Sequence, residues 1–451
     1  MVKPLQHQTH YTYQVKVLLS RIYGRSQLND SMLERAMHYF NHKAFVATDE
    51  SINQDHLELE RIECIDRHNH LVNICHDIIE LTEGESFEET NRKSAKLLGT
   101  IQLISPTEGE KVADNNEYCK SLYKAILSLR LLDRLLFDID ISDPHIVNTF
   151  AEFPEQSFAQ FDFDAQRRVI EQIKIPLLMA ALLQDIGLYH NEAQDILTGG
   201  DPTAKPYRTL TIDERKKLLA INYKQTLNYI THALSSPIYV GGSKEDRSQF
   251  IADEYEKSQF LQQLIKASFK SKETIGNLLK VPQIYTSIIL STKASYNYKV
   301  LPQVFQVLNK NAELGACSQV VVDALYQITG MFPQGYGVIY MPTEGGCYEY
   351  AIVNRLYPTL PDEPLCRKAT RNLTFIGYGH NIEVKKMNNL YFPHMAKKVS
   401  RLSKERLNEI LELLYSNYKE RQELDLLPRC WHANEYFSVK ENQKLWNRLE
   451  Q

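Results

Sequence analysis

The sequence predicts a mainly α-helical protein with a small β element near its C-terminal end, and three observations predict it. Apolar residues recur at three and four spacing in the early part of the chain, as in Leu71, Ile74, Cys75, Ile78 and Ile79. A run of apolar residues from Ile175 to Leu183 has the texture of a helix buried on all sides. Val338 to Met341 and Tyr348 to Val353 are instead β-type runs, separated by Pro342 and Gly345-Gly346.

Taken in order, the helical pattern from Tyr13 to about Phe137 predicts an N-terminal helical domain over residues 1–135. Polar breaks at Thr82 to Ser86 and Ser105 to Asn116 read as connections between its helices. A turn at Asp140-Ile141-Ser142-Asp143-Pro144 opens a second region, assigned to 136–400. Helices over Gln166 to Asp185 and Asp213 to Leu234 flank a loop from Gly199 to Pro206, and a second loop surrounds Gly241-Gly242-Ser243. Ile275 to Tyr298 is again apolar-rich, with Pro282 near its start.

The β element is placed at 330–376, with Leu373 to Ile376 as a third strand. Residues 401–451 form a tail. Within it, Ser403 to Leu424 predicts an amphipathic helix with Leu407, Ile410, Leu411, Leu414 and Tyr418 on one face, Ser403 as its cap and Glu405 in its first turn. Packing on the body is the favoured role of that helix, ahead of binding a protein partner.

Composition bounds the function classes. The chain has 451 residues, of which 43% are hydrophobic and 24% charged, a balance that suits a large soluble core. Its net charge of -4 gives no global attraction to nucleic acid or to an anionic membrane, so no nucleic-acid partner is expected. No window approaches the roughly 18 to 20 apolar residues of a membrane span, and the first residues lack the apolar core of a signal peptide. Seven cysteines, widely scattered and without a C-x-x-C pair, read as reduced thiols and agree with a cytoplasmic expectation.

Several constellations combine residue types that could carry chemistry. Cys64, His68, His70, Cys75, His76 and Asp77 crowd one segment in residue types that zinc accepts, but the spacing matches no zinc pattern, and a solvated helix with outward histidines and a core cysteine is favoured. The Gly pairs at 199, 241 and 345 lack the features of a phosphate loop, and no Gly-x-Ser-x-Gly elbow occurs. Lys397, Lys398, Arg401, Lys404 and Arg406 form a basic cluster that reads as a solvated face.

The apolar run ends abruptly in Gln184-Asp185-Ile186-Gly187, and a carboxylate at the end of a buried helix needs a partner. Ala180 to Gly187, AALLQDIG, resembles the helix of HD-domain phosphohydrolases, in which a run reading A-L-L-H-D-I-G-K delivers a His-Asp pair to a metal site. Here Gln184 stands for the His and Leu188 for the Lys; Asp185 is kept.

The likeness is strongest to the HD-GYP branch, the bacterial phosphodiesterases of cyclic di-GMP. Leu210 to Arg215 resembles its L-T-x-E-E-R helix start, and Val321 to Gly335 resembles its G-x-Y-P-x-G ending. Where the family carries further metal-binding residues, this chain reads Ile221-Asn222-Tyr223, then Ser271 to Asn277 and Ser287 to Thr292. The resemblance spans about 167–357 and implies an HD-domain-like helical bundle, here in degenerate form.

A catalytic HD site needs several imidazoles and carboxylates around its metal ions. One carboxylate cannot hold such an ion against water. No catalytic residue and no cofactor are therefore expected. The vestigial pocket is assigned to Gln184, Asp185, Asn222, Tyr223, Lys272 and Glu273, with Asp185 as the one residue a metal would use. Asp185 is expected to pair with Lys224 or Lys272, or to be hydrogen-bonded by Asn222.

The resemblance implies a bacterial, cytoplasmic binding or regulatory protein that acts through a protein partner in nucleotide second-messenger signalling; at the former metal site a structural polar knot is favoured, ahead of a cleft that still accepts a nucleotide or another phosphorylated ligand. The competing expectation is a divergent metal-dependent phosphohydrolase using a divalent metal on Asp185, Glu273 and His190 or His232, which are otherwise read as surface or capping histidines. A scaffold that only presents the tail helix is the third.

Overall fold

The structure, a computed structural model, describes residues 7–24, 30–46, 54–138, 143–151, 163–201, 203–270, 274–343, 348–369, 381–393 and 429–447. It is mainly helical, with a small antiparallel sheet formed late in the chain.

Helices α1 (His10–Tyr23), α2 (Met32–Val46), α3 (Gln54–Thr82), α4 (Phe87–Ile104) and α5 (Val112–Asp138) make the first block. Their ends follow local chemistry: Thr9 and Ser86 cap α1 and α4 by accepting the backbone N–H groups of Thr12 and Glu89. The second expected break is shorter than the sequence suggested, because α5 already begins at Val112.

The next block holds α6 (Pro144–Ala151), α7 (Phe163–Val169), a π-helical turn (Ile170–Lys174), α8 (Ile175–Leu183), a 3-10 turn (Ile186–Tyr189), α9 (Asn191–Thr198), α10 (Ile212–His232), α11 (Lys244–Ser268), α12 (Thr274–Ile289), α13 (Val304–Glu313) and α14 (Gln319–Thr329). Every residue of α8 is buried, as its composition demands. The α10 start is a capping box in which Thr211 and Glu214 satisfy each other's backbone N–H groups.

The π turn has an identifiable cause. Pro176 offers no N–H to the carbonyl of Gln172, and its ring needs room within a helix that otherwise runs from Phe163 to Leu183. Ile175 bonds back to the carbonyl of Ile170, and the Gln172 carbonyl oxygen lies 2.9 Å from His145 Nε2. The ring of His145 in turn lies against Phe260.

Strands β1 (Gly337–Tyr340), β2 (Glu349–Val353), β3 (Leu365–Ala369), β4 (Asn381–Glu383) and β5 (Cys430–Trp431) pair antiparallel in the order β4-β3-β2-β1-β5. The expected strand at Leu373 to Ile376 lies outside the described residues; the third strand that is described is β3. The expected helix from Ser403 to Leu424 and the basic cluster from Lys397 to Arg406 also lie outside them.

Residues beyond 428 close the β1 edge and reach back to the start of the chain. Trp431 Nε1 donates to the Ala351 carbonyl, and a Cβ on Gly337 would meet the Trp431 carbonyl oxygen at 2.1 Å. Thr12 Oγ1 donates to Gln443 Oε1 at 2.8 Å. The short helix α15 (Asn434–Ser438) packs on α4, and a Cβ on Gly99 of α4 would strike the ring of Trp446.

One continuous apolar cluster runs from Val15 of α1 through α5, α8 and α12 to Val353 and Cys430. The central helix of this core is α5, which packs on α8, α12 and α14. Among the described residues no helix is long and apolar enough to cross a membrane.

Candidate functional site

Asp185 stands where α8 stops. Its backbone leaves the helical region, and its side chain makes no capping bond to the turn it precedes, so the carboxylate is free to reach elsewhere. It reaches two helices. Lys124 of α5 donates Nζ–H to Oδ2 at 2.6 Å, and Gln283 of α12 donates Nε2–H to Oδ1 at 2.6 Å. The Lys124 side chain is 3% exposed, whereas that of Asp185 is 35% exposed. The ammonium is thus held inside the protein, and the carboxylate is presented to an opening.

Gln184 and Asn222 support the turn. Gln184 is buried and donates its amide N–H to Gln283 Oε1 at 3.2 Å. Asn222 donates to the Gln184 carbonyl at 3.2 Å and accepts from Thr226 Oγ1, while Gly187 N–H donates to Thr226 Oγ1. The 3-10 turn therefore lies directly on α10. A Cβ on Gly187 would sit 2.3 Å from the Asn222 carbonyl oxygen, which is why glycine follows Asp185-Ile186.

The opening is a cleft of about 380 Å³ between α5, α10, α12 and the turn. Lys120, one helical turn before Lys124, binds Glu117 at 2.8 Å. Tyr189 Oη lies 2.7 Å from Tyr23 Oη and 3.2 Å from Glu117 Oε1, and burial with the nearby Glu117 carboxylate drives its phenol well above the ordinary value. Two groups in the lining are unengaged. Among the described residues, the exposed guanidinium of Arg215 has no side-chain partner and the buried hydroxyl of Thr286 has no hydrogen-bond partner.

The residues expected from sequence divide. Gln184, Asp185 and Asn222 come together. Tyr223 does not join them: it packs on Phe269 and lines a different groove, with His190, Lys224 and His232. Lys272 and Glu273 lie outside the described residues. Neither Lys224 nor Asn222 partners Asp185. Lys224 is exposed on the other groove, and the Asn222 amide is committed to the Gln184 carbonyl. The sequence reading missed Lys124 and Gln283.

His190 caps α9, its Nδ1 accepting from Glu192 N–H, and His232 Nδ1 lies 3.0 Å from the Asn228 carbonyl. Neither lines the Asp185 cleft. The Cys64-to-Asp77 segment scatters its groups: Cys75 is in the core, Asp77 pairs with Arg21, and His70 Nε2 faces the Arg21 carbonyl. His68 is not on the outside, as the sequence reading had it; it is held against Glu254 of α11, because α11 covers that face of α3.

The donor set around Asp185 does not fit a di- or trivalent metal. Both carboxylate oxygens already accept N–H groups, the neighbours are amides, and an ammonium at 2.6 Å repels a second cation. Among the described residues no three of His, Cys, Asp and Glu converge as a metal site would require. Compared with known proteins, the chain matches no family model, no curated protein and no solved structure.

Proposed function

We propose that the chain is a non-catalytic, HD-GYP-like binding or regulatory protein in which the Lys124 ammonium stands where the resemblance places the metal, and in which the cleft beside Asp185 holds a phosphorylated small molecule. The observation that carries this reading is the Lys124–Asp185–Gln283 network, a charge-compensated knot on the one acidic residue kept from the motif. A cation bonded to a carboxylate supplies the positive charge that an HD site draws from its ions, but no activated water. The unengaged Arg215 and Thr286 give such a ligand a charged and a neutral donor.

Cyclic di-GMP is the probe the resemblance suggests. Titration calorimetry with the native chain is expected to show saturable binding that weakens about tenfold in Arg215→Ala, a loss appropriate to one charge-assisted bond. No hydrolysis is expected with added manganese or iron. Turnover abolished by Asp185→Ala would instead establish a divergent hydrolase.

A further inference from the structure

A second cleft lies away from Asp185, between α3, the α7-to-α8 helix and α11, with a volume of about 500 Å³. That is the size of a small-molecule site. One part of its wall is apolar, with Val72, Pro176, Met179, Phe250 and Leu261, and the rest carries polar and charged side chains that include Glu171, Asp253 and Glu254. The π turn lies along it, and such turns recur at functional sites because they present a side chain that a regular helix would turn away.

Gln172 belongs to this turn and lines the cleft. It is 7% exposed, and its Oε1 is buried without a hydrogen-bond partner among the described residues. Its backbone carbonyl is already engaged by His145, so the side-chain amide is not needed to hold the turn together. An orphan acceptor in an apolar wall costs on the order of 1 to 3 kcal/mol unless something donates to it. The other deep polar groups of the cleft are satisfied among themselves. Lys257 binds Glu254 at 2.6 Å and reaches Glu171 at 3.8 Å, and His68 faces Glu254. Burial first, with Lys257 adding to it, keeps the His68 imidazole below its ordinary value despite the Glu254 charge, so it is neutral at pH 7. At the rim, the exposed Arg167 has no ion-pair partner among the described residues.

We infer that this cleft is a second ligand site, for an amphiphilic small molecule with a flat or compact apolar body, an N–H or O–H donor directed at Gln172 Oε1, and an anionic group at the mouth facing Arg167. Each end of that description answers a group the protein leaves unpaired, and the body answers the apolar wall. The inference is independent of the Asp185 cleft.

8-Anilinonaphthalene-1-sulfonate carries all three features, and 1-naphthalenesulfonate lacks the N–H. Fluorescence titration of the native full chain with the first probe is expected to show one saturable site. Gln172→Leu should weaken it about tenfold, roughly the value of one hydrogen bond to an otherwise unpaired acceptor. The same variant should leave 1-naphthalenesulfonate binding unchanged and, because the amide oxygen is unpartnered, should not lower the melting temperature. Arg167→Glu should weaken both probes, and Asp185→Asn neither. Absence of a saturable site, or a site indifferent to Gln172→Leu and Arg167→Glu in folded protein, would overturn the assignment.

Discussion

Helix α5 buries two cations, and they are treated differently. Arg130 is held by Glu83 from the end of α3 and by Asp133, one turn away on α5, while Lys174 from the π turn binds the same two carboxylates at 2.9 and 3.4 Å. Two cations face two anions, and none of the four side chains is more than 20% exposed. Lys124, less than two turns earlier, has one carboxylate, and that carboxylate opens onto a cleft. The first arrangement is charge-balanced and joins three segments of the core, although Arg130 Nε and Nη1 find no hydrogen-bond partner among the described residues. The second keeps an accessible face, so it is the one from which a binding site can be built. Burial alone does not separate architecture from function; what separates them here is whether the counter-charge is closed off.

The largest expected effect breaks the closed cluster. Arg130→Met removes one cation and leaves Glu83 and Asp133 sharing Lys174, and a loss of about 3 to 5 kcal/mol is expected in urea denaturation. A loss under about 1 kcal/mol would mean that the cluster is not what holds α3, α5 and the π turn together.

A smaller effect is expected at the open pair. Asp185→Ala strands the buried Lys124 ammonium, but the cleft lets solvent relieve part of that cost, so about 2 kcal/mol is expected. The double variant Lys124→Met with Asp185→Leu should recover most of that stability while abolishing ligand binding in the cleft. Should the double variant remain as unstable as the single one, the pair would be structural like its neighbour, and the contrast between the two would disappear.

Acid sharpens the comparison with the least perturbation. At Glu83, burial opposes ionisation, but Arg130 and Lys174 outweigh it and hold the carboxyl well below its ordinary 4.5. A carboxyl depressed in the folded state contributes stability that is complete above its unfolded value and is lost as pH falls through the folded one. Stability measured by urea at pH 5 and again at pH 3 should therefore fall in the native chain, and Glu83→Gln should flatten that fall. An unchanged slope would locate the acid sensitivity elsewhere.

Much of this was legible in the sequence, and the parts that were not have physical reasons. The apolar run that places α8 and the acid at its end could be read directly, as could the helix start near Leu210 to Arg215 and the first two strands. The partner of Asp185 could not be read from spacing, since it lies on another helix 61 positions away. A signal was present all the same. Lys124 is flanked by Leu122, Tyr123, Ala125, Ile126 and Leu127, all fully buried, so a lysine there must enter the core and must find a carboxylate.

Placing Tyr223 with Asn222 overlooked the helical period, because adjacent residues point about 100° apart and cannot both face the same turn. Strand β3 escaped notice because its alternation is broken by the buried Arg367, whose Nε donates to the carbonyl of Leu445. Such a partner, like strand β5, comes from the far end of the chain, where no local pattern reveals it.

In the function proposed above, the Lys124 ammonium takes the place of a metal beside Asp185. Elemental analysis of native protein purified without chelators tests it most directly, with Asp185→Ala measured alongside. No manganese, iron or zinc near one equivalent is expected in either protein. Stoichiometric metal in the native chain that disappears in Asp185→Ala would contradict it.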